Sequence, residues 1–338
     1  METVKELETT LAAPSERLVK DLARIDGDLM ILGVGGKMGP SLARLAKNAV
    51  DGNRPRKRVI GVSRFSSERV RRELEEAGVE TIVADLLREK DLQNLPNVKN
   101  ILYMAGKKFG TLGHEHGTWA MNAYLPGRVA EKFRQSRIVC FSTGNLYSLT
   151  PLVFGGKTED DPPDPVGEYA QSCLGRERIF EYFSRRNGTP MLHFRLNYAI
   201  DLRYGVLLEI ALAVKKRQAI DLSMGSVNVI WQGDANEAAL RSLTLCQSPP
   251  KVLNVTGPEN VSVRWLACQF GSRFGVEPVF TGQEKDTALL SNAAIAHQLF
   301  GYPRVSLRQM IEWTYRWVEA GGTVLEKPTR FQERQGVF

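Results

Sequence analysis

The stretch Leu29-Met-Ile-Leu-Gly-Val-Gly-Gly-Lys-Met-Gly39 constrains the fold more than any other part of the chain. Four apolar residues run into a turn with glycines at 33, 35, 36 and 39, and a helical pattern opens at Pro40. Gly33, Gly36 and Gly39 give the spacing G-x-x-G-x-x-G. Glycine permits a tight turn and lets backbone approach a pyrophosphate closely. The N–H groups at the helix start then meet the phosphates with a partial positive charge. A glycine-rich turn alone is a weak signal. On the first strand of a strand–helix–strand series it reads as a dinucleotide cradle, with Gly33, Gly36, Lys37, Met38 and Gly39 as its residues.

Such a series follows. Strand-like runs fall at Leu29–Val34, Val59–Val62, Thr81–Ala84, Ile101–Met104, Ile138–Phe141 and Met191–Phe194. Helical patterns occupy Pro40–Asn48, Glu68–Ala77, Thr118–Arg134 and Val166–Arg185. Strands alternating with helices imply right-handed crossovers and a parallel sheet. The expected fold is α/β: a Rossmann-type doubly wound parallel sheet with a smaller, interleaved C-terminal substrate lobe. Residues 1–27 read as a helical extension, with one amphipathic helix over 3–24. Residues 28–197 read as the dinucleotide-binding domain and 198–338 mostly as the substrate lobe, with 251–257 returning to the sheet. In that second part, helices are expected near Leu207–Arg217, Ala235–Cys246, Val263–Phe274 and Ser306–Glu319. Strand runs are expected at Val227–Trp231 and Val252–Thr256.

The second strand ends Val59-Ile-Gly-Val-Ser-Arg64. An acidic residue here would accept hydrogen bonds from the adenosine ribose of NAD. The chain has Ser63 and Arg64 instead, and a guanidinium fork suits a 2′-phosphate. NADP is therefore the expected cofactor, ahead of NAD. Asp85, after the third strand, is placed to contact adenine.

Composition narrows the function classes. The 338 residues are 43% hydrophobic and 25% charged, as in an ordinary globular chain. No apolar run approaches the roughly 18 residues a membrane span needs, and the N-terminus lacks the apolar core of a secretory signal. The net charge is +7. The basic residues are dispersed, however, and the short groups at Arg54–Arg58, Arg69–Arg72 and Arg185–Arg186 are flanked by acids or helix. This reads as a solvated surface that attracts anionic cofactors and substrates, with neither nucleic acid nor membrane as partner. Cys140, Cys173, Cys246 and Cys268 are scattered, which fits a reducing cytoplasm and no disulfide framework. His114-Glu-His116 has the look of a metal pair but no third ligand, so no metal site is expected. Trp313, Tyr315 and Trp317 read as helix packing.

Several landmarks in combination give the chain a family resemblance. After the glycine turn and Asp85 come Tyr103-Met-Ala-Gly106 following the fourth strand and Asn122 in Trp-Ala-Met-Asn. Phe141-Ser-Thr-Gly-Asn-Leu-Tyr147 follows the fifth strand, then Tyr169-Ala-Gln-Ser-Cys173 and Arg195-Leu-Asn197. From Leu29 to about Val318 the chain resembles the extended short-chain dehydrogenase/reductases of the NAD(P)-dependent epimerase/dehydratase type. The resemblance implies a homodimer paired through the helices near Thr118–Arg134 and Val166–Arg185, and catalytic roles for Thr143, Tyr169 and Asn122. It also adds Ser63, Arg64, Asp85, Ala105, Gly106, Tyr169 and Asn197 to the cofactor site.

One departure stands out. The family motif is Tyr-x-x-x-Lys, and the lysine depresses the phenol pKa and holds the nicotinamide ribose. Here that position is Cys173. Three readings follow. Another cation substitutes, Lys107 being the first candidate, with Lys108 beside it and Arg176 and Arg178 fitting the helix face less well. Alternatively, Tyr169 serves only as a hydrogen-bond donor, or the protein binds dinucleotide without turnover. The expected function is NADP-dependent hydride transfer, as an oxidoreductase, epimerase or dehydratase, on a sugar-like or polyhydroxylated substrate. The alternative is a catalytically impaired regulatory protein of the same fold.

Overall fold

The computed structural model describes residues 1–51, 57–110 and 112–337. Arg54 and Arg56, from one of the short basic groups, lie outside the described residues.

Seven strands form one parallel sheet: β1 (Leu29–Leu32), β2 (Val59–Ser63), β3 (Glu80–Val83), β4 (Asn100–Tyr103), β5 (Arg137–Thr143), β6 (Met191–Leu196) and β7 (Lys251–Val255). Their order across the sheet is β7-β6-β5-β4-β1-β2-β3, and all neighbours run parallel. The apolar runs are continuous rather than alternating because helices cover both faces: every residue of β1 and β4 is buried. The winding reverses at β1, which pairs with both β2 and β4. A crevice opens beyond the strand ends at such a reversal, and open α/β sheets bind ligands there.

The N-terminal segment differs from the single helix expected. It forms α1 (Val4–Leu11) and α2 (Glu16–Arg24), separated at Pro14. Proline lacks the N–H that a continuous helix needs and clashes with the preceding turn. Each new start carries its own cap: Thr3 and Glu6 form a capping box, and Ser15 Oγ accepts from Leu18 N at 3.1 Å. Leu7 and Leu11 join a hydrophobic cluster with Val206, Trp231, Trp317 and Phe331, whereas Leu18 and Leu22 join the core beneath the sheet.

The first crossover helix, α3 (Gly39–Val50), follows the glycine turn, and α4 (Glu68–Glu76) and the short α5 (Glu89–Gln93) follow β2 and β3. The helix expected over 118–134 starts earlier and is not uniform. It runs as α6 (Glu115–Trp119), a π-helical turn (Ala120–Tyr124) and α7 (Leu125–Lys132). The long α8 (Gly167–Asn187) leads into β6. Beyond β6 come α9 (Val206–Lys215), α10 (Gln232–Arg241), α11 (Val263–Phe274), α12 (Ala294–Phe300) and α13 (Leu307–Glu319). The run 227–231 divides into Ser226–Val227 and Ile230–Trp231, which pair with different partners. Buried Asn228 lies between them, bonding the Ser291 carbonyl at 2.7 Å and Asn197 at 2.8 Å. The aromatic residues of α13 are packing groups: Trp317 is buried, Trp313 lies edge-on to Trp231, and Tyr315 leans on Phe274.

Candidate active site

One cleft runs along the ends of β1, β4 and β5, from the glycine turn to the start of α8. Its phosphate end is made of backbone. Gly33 has φ +93°, and a Cβ there would lie 2.7 Å from Ala105 N. The turns after β1 and β4 therefore touch only because residue 33 has no side chain. A Cβ on Gly39 would stand 2.1 Å from the Val34 carbonyl oxygen, so only glycine lets α3 begin so soon after the strand. No side chain caps that helix start, which leaves first-turn N–H groups available to an anion. Lys37 extends from the turn to the opposite wall. Its ammonium lies 3.4 Å from the Tyr204 ring centroid and 5.0 Å from that of Phe109. Burial, with Lys108 and Lys327 nearby, lowers its pKa to about 7.

Ser63 is the last residue of β2, Arg64 follows it, and Asp85 lies past the end of β3. A Cβ on Gly35 would come 2.6 Å from Ser63 Oγ, so the phosphate turn leans directly over the end of β2. Arg64 is exposed and forms no ion pair among the described residues. Asp85 Oδ1 accepts from Leu87 N at 3.1 Å.

The other end of the cleft is made of side chains. Tyr169, in the first turn of α8, is half-buried and lines the cleft together with Thr143 at the end of β5, with Cys173 one turn further along the helix. Burial pushes this phenol far above its ordinary value, and Arg176 pulls it back in part. Cys173 is fully buried and its thiol is also pushed up by burial. Thr143 Oγ1 accepts from Asn145 N at 3.1 Å and donates to Asn145 Oδ1 at 3.0 Å.

The cations near Tyr169 differ from the first candidate. Lys108 Nζ lies 5.5 Å from the Tyr169 ring centroid, and burial brings its pKa down to about 8. Lys107 also lines the cleft, but its Nζ is 3.6 Å from where a Gly117 Cβ would stand, beside α6. Arg176 is the other cation, buried seven residues along α8 from Tyr169. Seven residues are two helical turns, so Arg176 shares the face of Tyr169 and Cys173 after all.

Asn122 has a different place from the catalytic one expected. It is fully buried. Its Oδ1 accepts from Lys107 N at 2.9 Å and from Arg176 Nη2 at 2.7 Å. Its Nδ2 donates to the Lys107 carbonyl and to Ser172 Oγ, each at 2.9 Å. All its hydrogen-bonding capacity is thus committed; it fixes the loop after β4 and Arg176 and is not among the residues lining the cleft. The π turn that carries it bulges toward that loop. Asn197 lines the cleft, with its amide donating to Asn228 Oδ1 at 2.8 Å. Ala105 and Gly106 lie in the loop after β4, Ala105 under Gly33 and Gly106 against Arg176.

Beneath this end a buried ion pair ties α8 to the sheet. Arg195 binds Glu177 through two hydrogen bonds, 3.0 and 2.6 Å long, and donates to the Tyr147 hydroxyl at 2.7 Å. Ser142 Oγ donates to Glu177 at 2.5 Å. Burial pushes the Glu177 carboxyl up, but the bonds from Arg195 and Ser142 and nearby positive charge hold it below its ordinary value.

The sequence reading missed two contributors and ranked a third too low. Tyr204 faces Lys37 across the cleft. Thr329 belongs to a C-terminal segment without regular structure, held by hydrogen bonds to Glu209 from its N and Oγ1. Arg176 was ranked behind Lys107 as fitting the helix face less well, although its seven-residue spacing from Tyr169 was a readable signal. Among the described residues no cluster of three metal-ligating side chains occurs, and His114 and His116 are exposed. Among the described residues no helix is long and apolar enough to cross a membrane. All four cysteines are free thiols.

The model of the NAD dependent epimerase/dehydratase family matches residues 29–199, just over half of the chain. The chain belongs to this family. No sequence among the curated proteins matches it. Solved structures are similar in fold at low identity. UDP-glucose 4-epimerase of Thermotoga maritima, solved with UDP-glucose, is 16% identical with a TM-score of 0.69, over 87% of this chain and 99% of that one. UDP-glucuronic acid 4-epimerase of Bacillus cereus, solved with UDP-glucuronic acid and NAD, is also 16% identical, with a TM-score of 0.69 over 86% and 99%. An epimerase of Methanothermobacter thermautotrophicus is 16% identical with a TM-score of 0.71, over 90% and 96%. Within the epimerase/dehydratase frame, the position one turn after the tyrosine is occupied by a buried thiol in this chain.

Proposed function

We propose that the protein transfers hydride between a nicotinamide dinucleotide, NADP in preference to NAD, and a carbon of a sugar-like or polyhydroxylated substrate. The observation that carries this reading is one cleft lined at one end by Tyr169 and Thr143 and at the other by the uncapped glycine turn. The turn would take the pyrophosphate, Ser63 and Arg64 the adenosine side, and Asp85 the adenine. Bound there, the nicotinamide would accept or return a hydride. Tyr169 takes the proton from the substrate hydroxyl as its carbon is oxidised and gives it back on reduction. Thr143 holds the same oxygen. The preference for the phosphorylated cofactor rests on Arg64, exposed and without a carboxylate partner among the described residues. The test is titration with NADPH and NADH by fluorescence, followed by NADPH oxidation against a panel of ketoses and nucleotide-linked keto sugars. NADPH should bind more tightly and be oxidised by at least one of them.

A second reading is binding without turnover. Cys173 favours it, since a neutral buried thiol neither lowers a phenol pKa nor holds a ribose. Tight NADPH binding with no oxidation across the panel, and no cofactor reduction by the corresponding alcohols, would select it. We also propose a homodimer through α6 to α8, whose surface carries the exposed aromatics Trp119, Tyr124 and Tyr182. Light scattering at micromolar concentration should give twice the chain mass.

A further inference from the structure

Arg176 is only 6% exposed, and a guanidinium keeps its charge at any pH a folded protein meets. Its Nη1 donates to the Phe141 carbonyl at 2.8 Å and its Nη2 to Asn122 Oδ1 at 2.7 Å. Nε is buried and has no partner. No carboxylate among the described residues lies within 4.0 Å of it. Glu177 is adjacent in sequence, but Arg195 holds its carboxylate. The groups that bear on its charge are Cys173, Tyr103, Cys140 and Tyr169, all thiols or phenols. A buried charge without a counter-ion carries a large desolvation cost, so packing alone is a poor account of it.

The surroundings are shaped to admit it. A Cβ on Gly106 would fall 2.6 Å from Arg176 Nη2; the guanidinium occupies the space that any other residue there would fill. Asn122 directs one oxygen to both Arg176 and Lys107 N. The guanidinium lies on the wall of the cleft, on the same helical face as Tyr169 and Cys173.

We infer that Arg176 is a positioning residue that takes over the charge role of the missing helix lysine, stabilising the Tyr169 phenolate from the wall of the cleft. This rests on the proposed function, in which Tyr169 exchanges a proton with the substrate. The charge works through Tyr169 and touches no substrate atom. Its direction agrees with the pull that Arg176 exerts on the Tyr169 phenol against burial. Lys108, above the Tyr169 ring, adds a second cation from the loop after β4.

The test replaces Tyr169 with 2,3,5-trifluorotyrosine, a more acidic phenol whose ionisation is read by ¹⁹F NMR without cofactor or substrate. Its titration is compared in the otherwise native chain, in Arg176→Met and in Arg176→Lys. Loss of the guanidinium should raise the midpoint by at least about one pH unit, tenfold in acidity, and Arg176→Lys should raise it by less than half as much. A midpoint within about 0.3 unit of native in a folded Arg176→Met protein overturns the inference. Should Arg176→Met not fold, the comparison is repeated on Cys173→Lys, which restores the usual ammonium. Cys173→Lys/Arg176→Met should then titrate above Cys173→Lys alone, and equal midpoints overturn the inference. Because no cofactor is present, a negative result separates from failure of the dinucleotide reading, which NADPH titration decides.

Discussion

The two ends of the cleft are built from different materials. The phosphate end uses backbone: Gly33 and Gly39 let two turns and a helix start meet, and the ligand would face N–H groups that no side chain caps. The chemical end uses side chains drawn from β4, β5, β6 and the face of α8, buried and cross-braced by Asn122 and by Glu177–Arg195. A backbone site demands glycine at fixed spacing and tolerates almost anything nearby. A side-chain site can exchange one cation for another, provided that the charge arrives in the same place. A site of the second kind can be rewired, as we propose for Cys173 and Arg176.

The largest expected effect breaks the chemical end while sparing the phosphate end. Arg195→Met leaves the Glu177 carboxylate buried and unpaired, at a cost of about 3–5 kcal/mol. Urea denaturation should show that loss. If the protein still folds in buffer, its dinucleotide affinity should stay within about threefold of native, because no glycine-turn group depends on the pair. A fold whose stability does not change removes the ion pair from this account. The same pair gives an acid signature. The folded Glu177 pKa is held below its ordinary 4.5, so its contribution to stability is present above about pH 4.5 and declines as pH falls toward the folded value. Glu177→Gln should flatten stability against pH in that window.

The contrast also explains what could be read from sequence. Strand positions were legible because each buried strand is a short apolar run. The glycine turn was legible because its spacing carries its geometry. The break at Pro14 was readable and was overrun by a strong amphipathic period. The catalytic role for Asn122 came from the family resemblance, and its four committed hydrogen bonds could not be read from sequence. The choice between Lys107 and Lys108 depends on which way one loop residue points, and no local pattern encodes that. Thr329 reaches the cleft through a C-terminal segment that has no periodicity, held by Glu209 far away in the chain.

A smaller effect sharpens the comparison within the cofactor. If Arg64 meets a 2′-phosphate, Arg64→Ala should weaken NADPH by roughly 1.5–3 kcal/mol and leave NADH nearly unchanged. Ser63 reinforces this, since the phosphate turn leans so close to its Oγ that a longer acidic side chain has little room. Calorimetric titration of both cofactors measures the difference directly. Equal native affinities for NADPH and NADH would withdraw the preference.

The smallest effect lies where the two ends meet, at Lys37. It starts from the backbone turn, yet its ammonium rests on Tyr204 and Phe109 across the cleft. Burial and the neighbouring Lys108 and Lys327 lower its pKa to about 7, and Glu209 partly opposes them. A pyrophosphate in the turn would bring negative charge beside it and raise that value. The sign then follows from linkage. Below pH 7 the free protein already holds the proton, and affinity is flat. Above pH 7 the free protein loses it while the complex keeps it, so binding takes up a proton and Kd rises, by at most tenfold per pH unit (about 1.4 kcal/mol). Calorimetry at pH 8 in two buffers of different ionisation enthalpy should register that uptake. Lys37→Met should abolish it and bind more weakly at pH 6.5, where the native ammonium is charged. NADH serves as the control, because it lacks the 2′-phosphate that titrates near pH 6. If uptake persists in Lys37→Met but disappears in Lys108→Met, the titrating group is Lys108, whose pKa is about 8. The pH dependence would then belong to the chemical end.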